Sequence, residues 1–433
     1  MRRYFLLRFI YQLAYLSFLL VGGPLYLFKK RRKVSFKGLL KRAGFFSEEE
    51  KERLRRIKKS IWIQAVSVGE ILSLKPLVDK LERNLPHFNI VITTTTPTGY
   101  KVARSLWKEK VFYFPLDIVF VVRKFIESIK PRILVIFETE IWPEVIFQMK
   151  EKSLPVILIN GRISDTSFPH YQKIKDFLEH VLECIDMFFM QSEKYRERIV
   201  SLGVPSQKVF SMGNIKYEAS QVPLNKQEEE FQEELRMIFS GKKIFLAAST
   251  HSGEEEIILS IYLKIKSYYK DTILIIAPRH PERCDEVIRC IKSKGLGFQL
   301  FSSGWSFSER DIFIMDKIGF LRILYSLSFV SFVGGSLVPE GGHNILEPAY
   351  FSKPIFTGQY FFNFKEIVHN FIEHRAIVVV KDNESFFRWM YKIFSSEEER
   401  SILGKRAREV LSHYTGISDS YVRYIVRAVS GKE

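Results

Sequence analysis

Several short motifs combine residue types that hold or move protons, and each follows an apolar run. Ser67-Val68-Gly69-Glu70 follows Ile61–Val66. Gly69 permits a tight turn, and Glu70 falls in the first turn of a helix, where the dipole favours an ionised carboxylate. An ionised, partly exposed carboxylate there is a candidate general base, or a simple helix-start acid. Thr93-Thr94-Thr95-Thr96-Pro97-Thr98-Gly99 ends the next run, with hydroxyls that either line a polar pocket or cap a helix. Glu138-Thr139-Glu140-Ile141-Trp142-Pro143-Glu144 sets two carboxylates at i and i+2 beside a tryptophan. Buried charges need partners, and Arg162, in Asn160-Gly161-Arg162-Ile163-Ser164, is a candidate. Gly213-Asn214-Ile215-Lys216 puts a cation after a further run. Each of these charges reads as structural pairing or as catalysis.

The second half of the chain repeats the arrangement. Ala248-Ser249-Thr250-His251-Ser252-Gly253-Glu254-Glu255 is a strand, a polar turn and an acidic helix start. Pro278-Arg279-His280-Pro281-Glu282-Arg283 puts two arginines and a histidine after an apolar strand. Val333-Gly334-Gly335-Ser336 precedes Gly341-Gly342-His343-Asn344-Ile345-Leu346-Glu347-Pro348. Glycine pairs leading into a helix expose backbone N–H groups that suit a phosphate, and Glu347 can accept from ribose hydroxyls. Together with Arg279 they favour an anionic nucleotide. His251, His280 and His343 fall on separate loops, no His or Cys spacing matches a zinc site, and neither a G-x-S-x-G elbow nor a Walker A sequence occurs. No metal and no cofactor is expected.

The elements that must position these loops follow from alternation. Short β-branched or aromatic runs, namely Ile61–Val66, Asn89–Thr94, Arg132–Phe137, Pro155–Ile159, Met187–Met190 and Val209–Met212, alternate with amphipathic stretches. A second series is Lys243–Ala248, Thr272–Ala277, Asp311–Met315, Phe329–Val333, Pro354–Thr357 and Ala376–Val380. Such alternation predicts βαβ units with parallel sheets, in two doubly wound α/β domains facing a cleft, with ligands beyond the strands' carboxyl ends. The expected divisions are 34–217, a polar linker at 218–240, a second domain at 241–415, and a last helix at 416–433 that packs back on the first.

At 433 residues, 46% hydrophobic and 27% charged, the chain is neither disordered nor a polytopic membrane protein. Three cysteines without a C-x-x-C pair favour a reduced compartment. The net charge of +17 suggests nucleic acid, but its distribution argues against that partner. Residues 1–59 hold 17 basic and 4 acidic side chains, so +13 lies there and only +4 in the rest. The same segment contains Phe9–Phe28, uncharged and about 30 Å long as a helix, followed by Lys29-Lys30-Arg31-Arg32-Lys33. Residues 1–33 therefore read as a membrane anchor with a basic flank that meets anionic lipid and keeps the bulk of the chain cytoplasmic. Gly22-Gly23-Pro24 would kink it, which leaves an in-plane or re-entrant segment open.

Taken in order, these motifs closely resemble the 3-deoxy-D-manno-octulosonic acid (Kdo) transferases, with Gly334-Gly335-Ser336-Leu337-Val338 and Lys317-Ile318-Gly319 included. The resemblance runs from the N-terminal segment to about Ile367. It implies a GT-B glycosyltransferase: two Rossmann-like domains, acceptor on the first, nucleotide sugar on the second. It implies inverting, metal-independent transfer of Kdo from CMP-Kdo to the lipid A precursor at the bacterial inner membrane, on its cytoplasmic side. By motif, Glu70 matches the general base, and Glu138 and Lys216 match transition-state stabilisers. Pro278, Arg279, Lys317, Ile318, Gly319, Gly334, Gly335, Asn344, Ile345, Leu346 and Glu347 match the CMP side. Ser67, Gly69, Thr98, Gly99 and Arg162 are acceptor-side candidates. The chain departs from the usual pattern at Gly161 (Ala), Ile345 (Pro), Glu144 (Asn) and Lys317-Ile318 (Thr-Met). A GT-B enzyme with another nucleotide sugar and a non-catalytic nucleotide-binding scaffold are the competing readings.

Overall fold

A computed structural model describes residues 2–22, 36–304 and 310–430. It forms two compact units, Met1–Ala219 with Thr415–Glu433, and Ser220–Tyr414.

The first unit is built on a seven-stranded parallel sheet. Its strands are β1 (Ser60–Gln64), β2 (Asn89–Thr94), β3 (Val111–Tyr113), β4 (Pro131–Phe137), β5 (Val156–Gly161), β6 (Met187–Met190) and β7 (Val209–Ser211), in the order β3-β2-β1-β4-β5-β6-β7. Trp62 lies opposite Val91 on one side and Leu134 on the other. The strands are nearly continuous apolar runs because helices cover both faces of a parallel sheet. The chain starts at β1, winds outward to β3, then returns to the other side of β1. The switch point therefore lies between β1 and β4.

The second unit repeats this plan with β8 (Lys243–Thr250), β9 (Thr272–Pro278), β10 (Gln299–Leu300), β11 (Ile312–Ile314), β12 (Val330–Val333), β13 (Ile355–Thr357) and β14 (Val378–Val379). Their order is β10-β11-β9-β8-β12-β13-β14, with all pairs parallel. Alternation along β8 and β9 divides the core. Phe245, Ala247, Leu274 and Ile276 enter one cluster, while Ile244, Leu246, Ile273 and Ile275 enter the other. The switch point lies between β8 and β12.

Of the four edge strands, β3 and β10 go unread in the sequence, being only three and two residues long. The polar stretch 218–240 contains the helix Lys226–Ile238, capped by Asn225 and anchored by fully buried Leu235. The helix Ile417–Ser430 belongs to the first unit, where the Tyr421 hydroxyl accepts the Asn160 N–H at 3.2 Å and Ser418 N–H reaches Glu218 at 2.8 Å.

The N-terminal segment differs from the spanning anchor expected for residues 9–28. No helix among the described residues is long and apolar enough to cross a membrane. Arg2–Ser17 is a helix that ends in a π-helical turn, Phe18–Gly22. One face is docked. Arg8 pairs with fully buried Glu144 at 2.5 Å, Tyr11 donates to buried Asp117 at 2.6 Å, and Gln12 Nε2 donates to the Asp117 carbonyl at 3.0 Å and to Glu144 at 3.2 Å. Leu6, Phe9, Ile10, Leu13 and Phe18 stay exposed. Polar residues at positions 8, 11, 12 and 15 recur at helical spacing, so the apolar run has two unlike faces. Residues 23–28 of that run and the basic cluster 29–33 lie outside the described residues.

Two departures from the usual family pattern are explained by packing. Glu144 stands where asparagine is common and neutralises Arg8. A Cβ on Gly161 would lie 2.5 Å from both Leu158 Cδ2 and Met190 Sδ, so this core has no room for the usual alanine.

Candidate active site

In the first unit the charged loops gather at the carboxyl ends of β1, β4 and β7. After β1, Ser67 caps the helix Val68–Ser73 and forms a reciprocal pair with Glu70. The Ser67 hydroxyl accepts the Glu70 N–H at 3.2 Å, and the Glu70 carboxylate accepts from Val66 N–H at 2.8 Å and Ser67 N–H at 3.1 Å. Glu70 is only 6% exposed, which corrects the partly exposed, readily ionised carboxylate expected there. Burial, and next the negative charge of Glu138, push its carboxyl above the usual range; the backbone hydrogen bonds oppose them and lose. Gly69 has no steric requirement for glycine, since a Cβ would meet only Ser67 Oγ at 4.0 Å. It leaves the surface beside Glu70 open.

Glu138 follows β4 with φ +58, a costly backbone conformation for a residue with a side chain. Its carboxylate is held by Lys216 Nζ at 2.8 Å. The partner expected from the sequence, Arg162, has no ion pair among the described residues, and its backbone N–H donates to Thr139 Oγ1 at 3.0 Å. Lys216 reaches the site because Asn160 and Asn214 organise its helix start. Asn160, itself at φ +52, accepts Ile215 N–H at 3.0 Å, and Asn214 accepts Lys216 N–H at 3.0 Å. Glu140 accepts from Trp142 Nε1 at 3.2 Å. Burial, then Glu70, push its carboxyl up to about 7. Glu70, Glu138, Glu140 and Lys216 thus form one electrostatic group, in which Lys216 pairs with Glu138 and the charge of Arg42 acts on Glu140.

The threonine loop resolves to structure. Thr94 and Thr96 both donate to the Val66 carbonyl, at 3.0 and 2.8 Å, and Thr96 caps the helix Pro97–Trp107 by accepting Gly99 N–H at 3.1 Å. A Cβ at Gly99 would sit 2.8 Å from that carbonyl, so glycine is required. These bonds hold the Glu70 turn. Thr98 is exposed beside it.

In the second unit the loops gather at the adjacent carboxyl ends of β11, β9, β8 and β12. Pro278 ends β9, and Arg279 N–H donates to the Thr250 carbonyl at 3.0 Å. The exposed Arg279 guanidinium has no hydrogen-bond partner among the described residues. Asn344 orders the next helix start: its side-chain Oδ1 accepts Leu346 N–H at 3.1 Å, while its Nδ2 lies 3.5 Å from Glu347 Oε1. Ile345 and Leu346 are fully buried behind it. Burial pushes the Glu347 carboxyl up, against the pull of Arg322. Lys317 lies over the Phe301 ring at 5.3 Å, Ile318 is 84% exposed, and Gly319 turns the chain at φ +104.

Two expectations are corrected here. The amides of the Gly334–Leu337 turn are already bonded: Gly334 donates to the Ala248 carbonyl, and Gly335, Ser336 and Leu337 donate to Glu254. The helix after Gly341-Gly342, Leu346–Tyr350, is only five residues long. The histidines on separate loops also converge. His251 Nε2 lies 2.8 Å from His343 Nε2, and the His251 and His280 ring centroids are 6.1 Å apart. Among the described residues no group of three or more His, Cys, Asp or Glu side chains is arranged to hold a metal ion.

Two doubly wound units, each with charged loops at the carboxyl ends of its strands, define a GT-B fold. The same fold occurs in UDP-GlcNAc 2-epimerase from Neisseria meningitidis, at TM-score 0.59 and 15% identity over 86% of this chain and 100% of that one. A glycosyltransferase from Rickettsia africae gives TM-score 0.56 and 14% identity over 87% and 100%. The family described as 3-deoxy-D-manno-octulosonic-acid transferase (kdotransferase) matches residues 37–219. A 3-deoxy-D-manno-octulosonic acid transferase from Haemophilus influenzae is 35% identical over 365 residues, 83% of this chain and 84% of that protein. One from Rickettsia felis is 30% identical over 375 residues, 85% and 79% of the two chains. The chain belongs to the 3-deoxy-D-manno-octulosonic acid transferase family.

Proposed function

We propose that this protein moves Kdo from CMP-Kdo to the lipid A precursor (lipid IVA) in lipopolysaccharide biosynthesis, with inversion and without a metal ion. The observation that carries the reading is Glu70, a buried carboxyl whose proton affinity is raised beside the Glu138–Lys216 pair. A carboxylate of that kind can take a proton from a sugar hydroxyl. The acceptor oxygen then attacks the anomeric carbon of Kdo, the bond to the phosphate oxygen breaks, and CMP leaves with the electron pair. Attack opposite the leaving group gives inversion. Lys216 and Glu138 stabilise the charge that builds at the reacting centre. Arg279, with Asn344 and Glu347 beside it, holds the nucleotide and draws the departing phosphate's charge.

The test is transfer of labelled Kdo from CMP-Kdo to lipid IVA, with UDP-sugars as competing donors. Glu70→Ala lowers the transfer rate by about 10²–10⁴-fold while CMP binding is kept. Excess EDTA leaves the wild-type rate unchanged. Undiminished transfer by Glu70→Ala removes it as the base, and a rate restored only by added Mg²⁺ overturns the metal-free mechanism.

The exposed face of Arg2–Ser17 lies in the plane of the bacterial inner membrane, on its cytoplasmic side, and the basic run 29–33 meets anionic headgroups. Support comes from Leu6, Phe9, Ile10 and Leu13, exposed on one helix face, and from the +13 of residues 1–59. Flotation with vesicles checks it. Binding is expected to vesicles containing anionic lipid and to weaken in high salt. Absence of binding to either neutral or anionic vesicles sinks the placement.

A further inference from the structure

A glycine-rich turn at a switch point ordinarily offers its N–H groups to a ligand anion. Here the anion is a side chain. Glu254 is fully buried at the start of the helix Glu254–Tyr268. Its carboxylate accepts N–H from His251 at 2.9 Å, Gly335 at 2.7 Å, Ser336 at 2.9 Å and Leu337 at 2.9 Å. One carboxylate therefore staples the turn after β8 to the turn after β12. The fit is close, since a Cβ on Gly334 would sit 2.7 Å from the Glu254 oxygen and 2.5 Å from the Ser249 carbonyl.

The stapled turns bring two imidazoles together. His251 belongs to the first turn. His343 follows Gly342, whose N–H donates to the Gly335 carbonyl at 2.7 Å. The rings are nearly parallel, at 13°, with centroids 5.1 Å apart and Nε2 facing Nε2 at 2.8 Å. A Cβ on Gly335 would stand 3.0 Å from the His343 ring. Two neutral rings in this arrangement share one N–H, one donating and the other accepting. A second proton on that axis breaks the bond.

We propose that Glu254 is a positioning residue, and that the His251–His343 pair it holds contacts the donor's phosphate and takes up one proton from solvent when that phosphate binds. The proposal rests on reading this unit as the nucleotide-sugar half. Without ligand the pair has reason to stay neutral. Burial pushes His343 down to about 4, helped by Arg279, His251 and His280. Burial also pushes His251 below its ordinary value, with His280 and Arg283 acting the same way and Glu254 and Glu340 opposing. A phosphate beside the rings supplies the negative charge that the site lacks. The proton breaks the shared bond, and each ring then turns an N–H to the anion.

Calorimetric titration of CMP into the full-length protein, run in two buffers of different ionisation enthalpy, measures affinity and proton uptake together. The phosphate of CMP itself titrates near pH ~6, so the readout is the difference between wild type and variant. Glu254→Gln and His343→Asn are each expected to weaken CMP about tenfold and to abolish the extra proton uptake. His343 is half-buried at the surface, so His343→Asn carries the test if Glu254→Gln does not fold. Wild-type uptake and affinity reproduced by His343→Asn would falsify the proposal. A wild type that binds UMP or UDP but not CMP overturns the donor reading instead, and the same comparison on that nucleotide then decides the histidine pair.

Discussion

The first strand of each sheet ends in the same device, a short polar turn followed by an acid at the start of a helix, and the two acids are used in opposite ways. Glu70 accepts two backbone N–H groups and faces other acids, Glu138 and Glu140. Glu254 accepts four, and both its oxygens are saturated. The ratio of N–H donors to neighbouring charges separates them. A saturated carboxylate is a fixed part of the frame, whereas an under-supplied one beside like charges keeps an affinity for protons. The same local sequence logic thus builds a reactive group in one unit and a structural staple in the other.

Stability is where this contrast has its largest expected effect. Glu254→Ala leaves four N–H groups without an acceptor, Gly335 and Ser336 buried and His251 and Leu337 part-buried, at a cost of about 3 kcal/mol if each buried one is worth ~1 kcal/mol and each part-buried one roughly half that. Glu70→Ala strands only two and removes a charge that Glu138 and Glu140 repel, so its cost stays below about 2 kcal/mol. Thermal unfolding followed by circular dichroism is expected to show a clearly lower midpoint for Glu254→Ala than for Glu70→Ala. Equal midpoints would show that the two acids do the same work.

How much of this was legible depends on sequence distance. Asn89–Thr94 and Met187–Met190 are strands with the bounds their residues suggest, because β-branched and aromatic runs between turn residues carry a local signal. The capping role of Ser67 is equally local. What Glu254 does is not, since its partners Gly335, Ser336 and Leu337 lie 81 to 83 residues away. The glycine turn therefore reads as an open phosphate cradle until the fold fills it. Glu70 looks like an exposed helix-start acid for the same reason, because its burial and its acidic neighbours come from β4 and the loop beyond. Likewise Arg8 finds Glu144 136 residues away. The docked face of the N-terminal helix did leave a readable mark, the spacing of Arg8, Tyr11, Gln12 and Tyr15, which an apolar-run reading averages out.

The finest test moves the charges around Glu70 and leaves its own hydrogen bonds alone. Glu138 is an anion that opposes ionisation of Glu70, and Lys216 at 2.8 Å cancels part of that field. A general base works only when deprotonated, so the acid limb of kcat/KM falls where Glu70 gains its proton. Lys216→Met uncovers the Glu138 charge and favours protonated Glu70, which moves the limb to higher pH. Glu138→Gln removes the opposing charge and moves it to lower pH. Both variants also lose rate, so the position of the limb is the readout and its height is not. The expected order of half-maximal pH is Glu138→Gln, then wild type, then Lys216→Met. A limb that stays in place in both variants means that the acid titrating there is not Glu70, and Glu140, whose carboxyl is pushed up to about 7, becomes the group to test next.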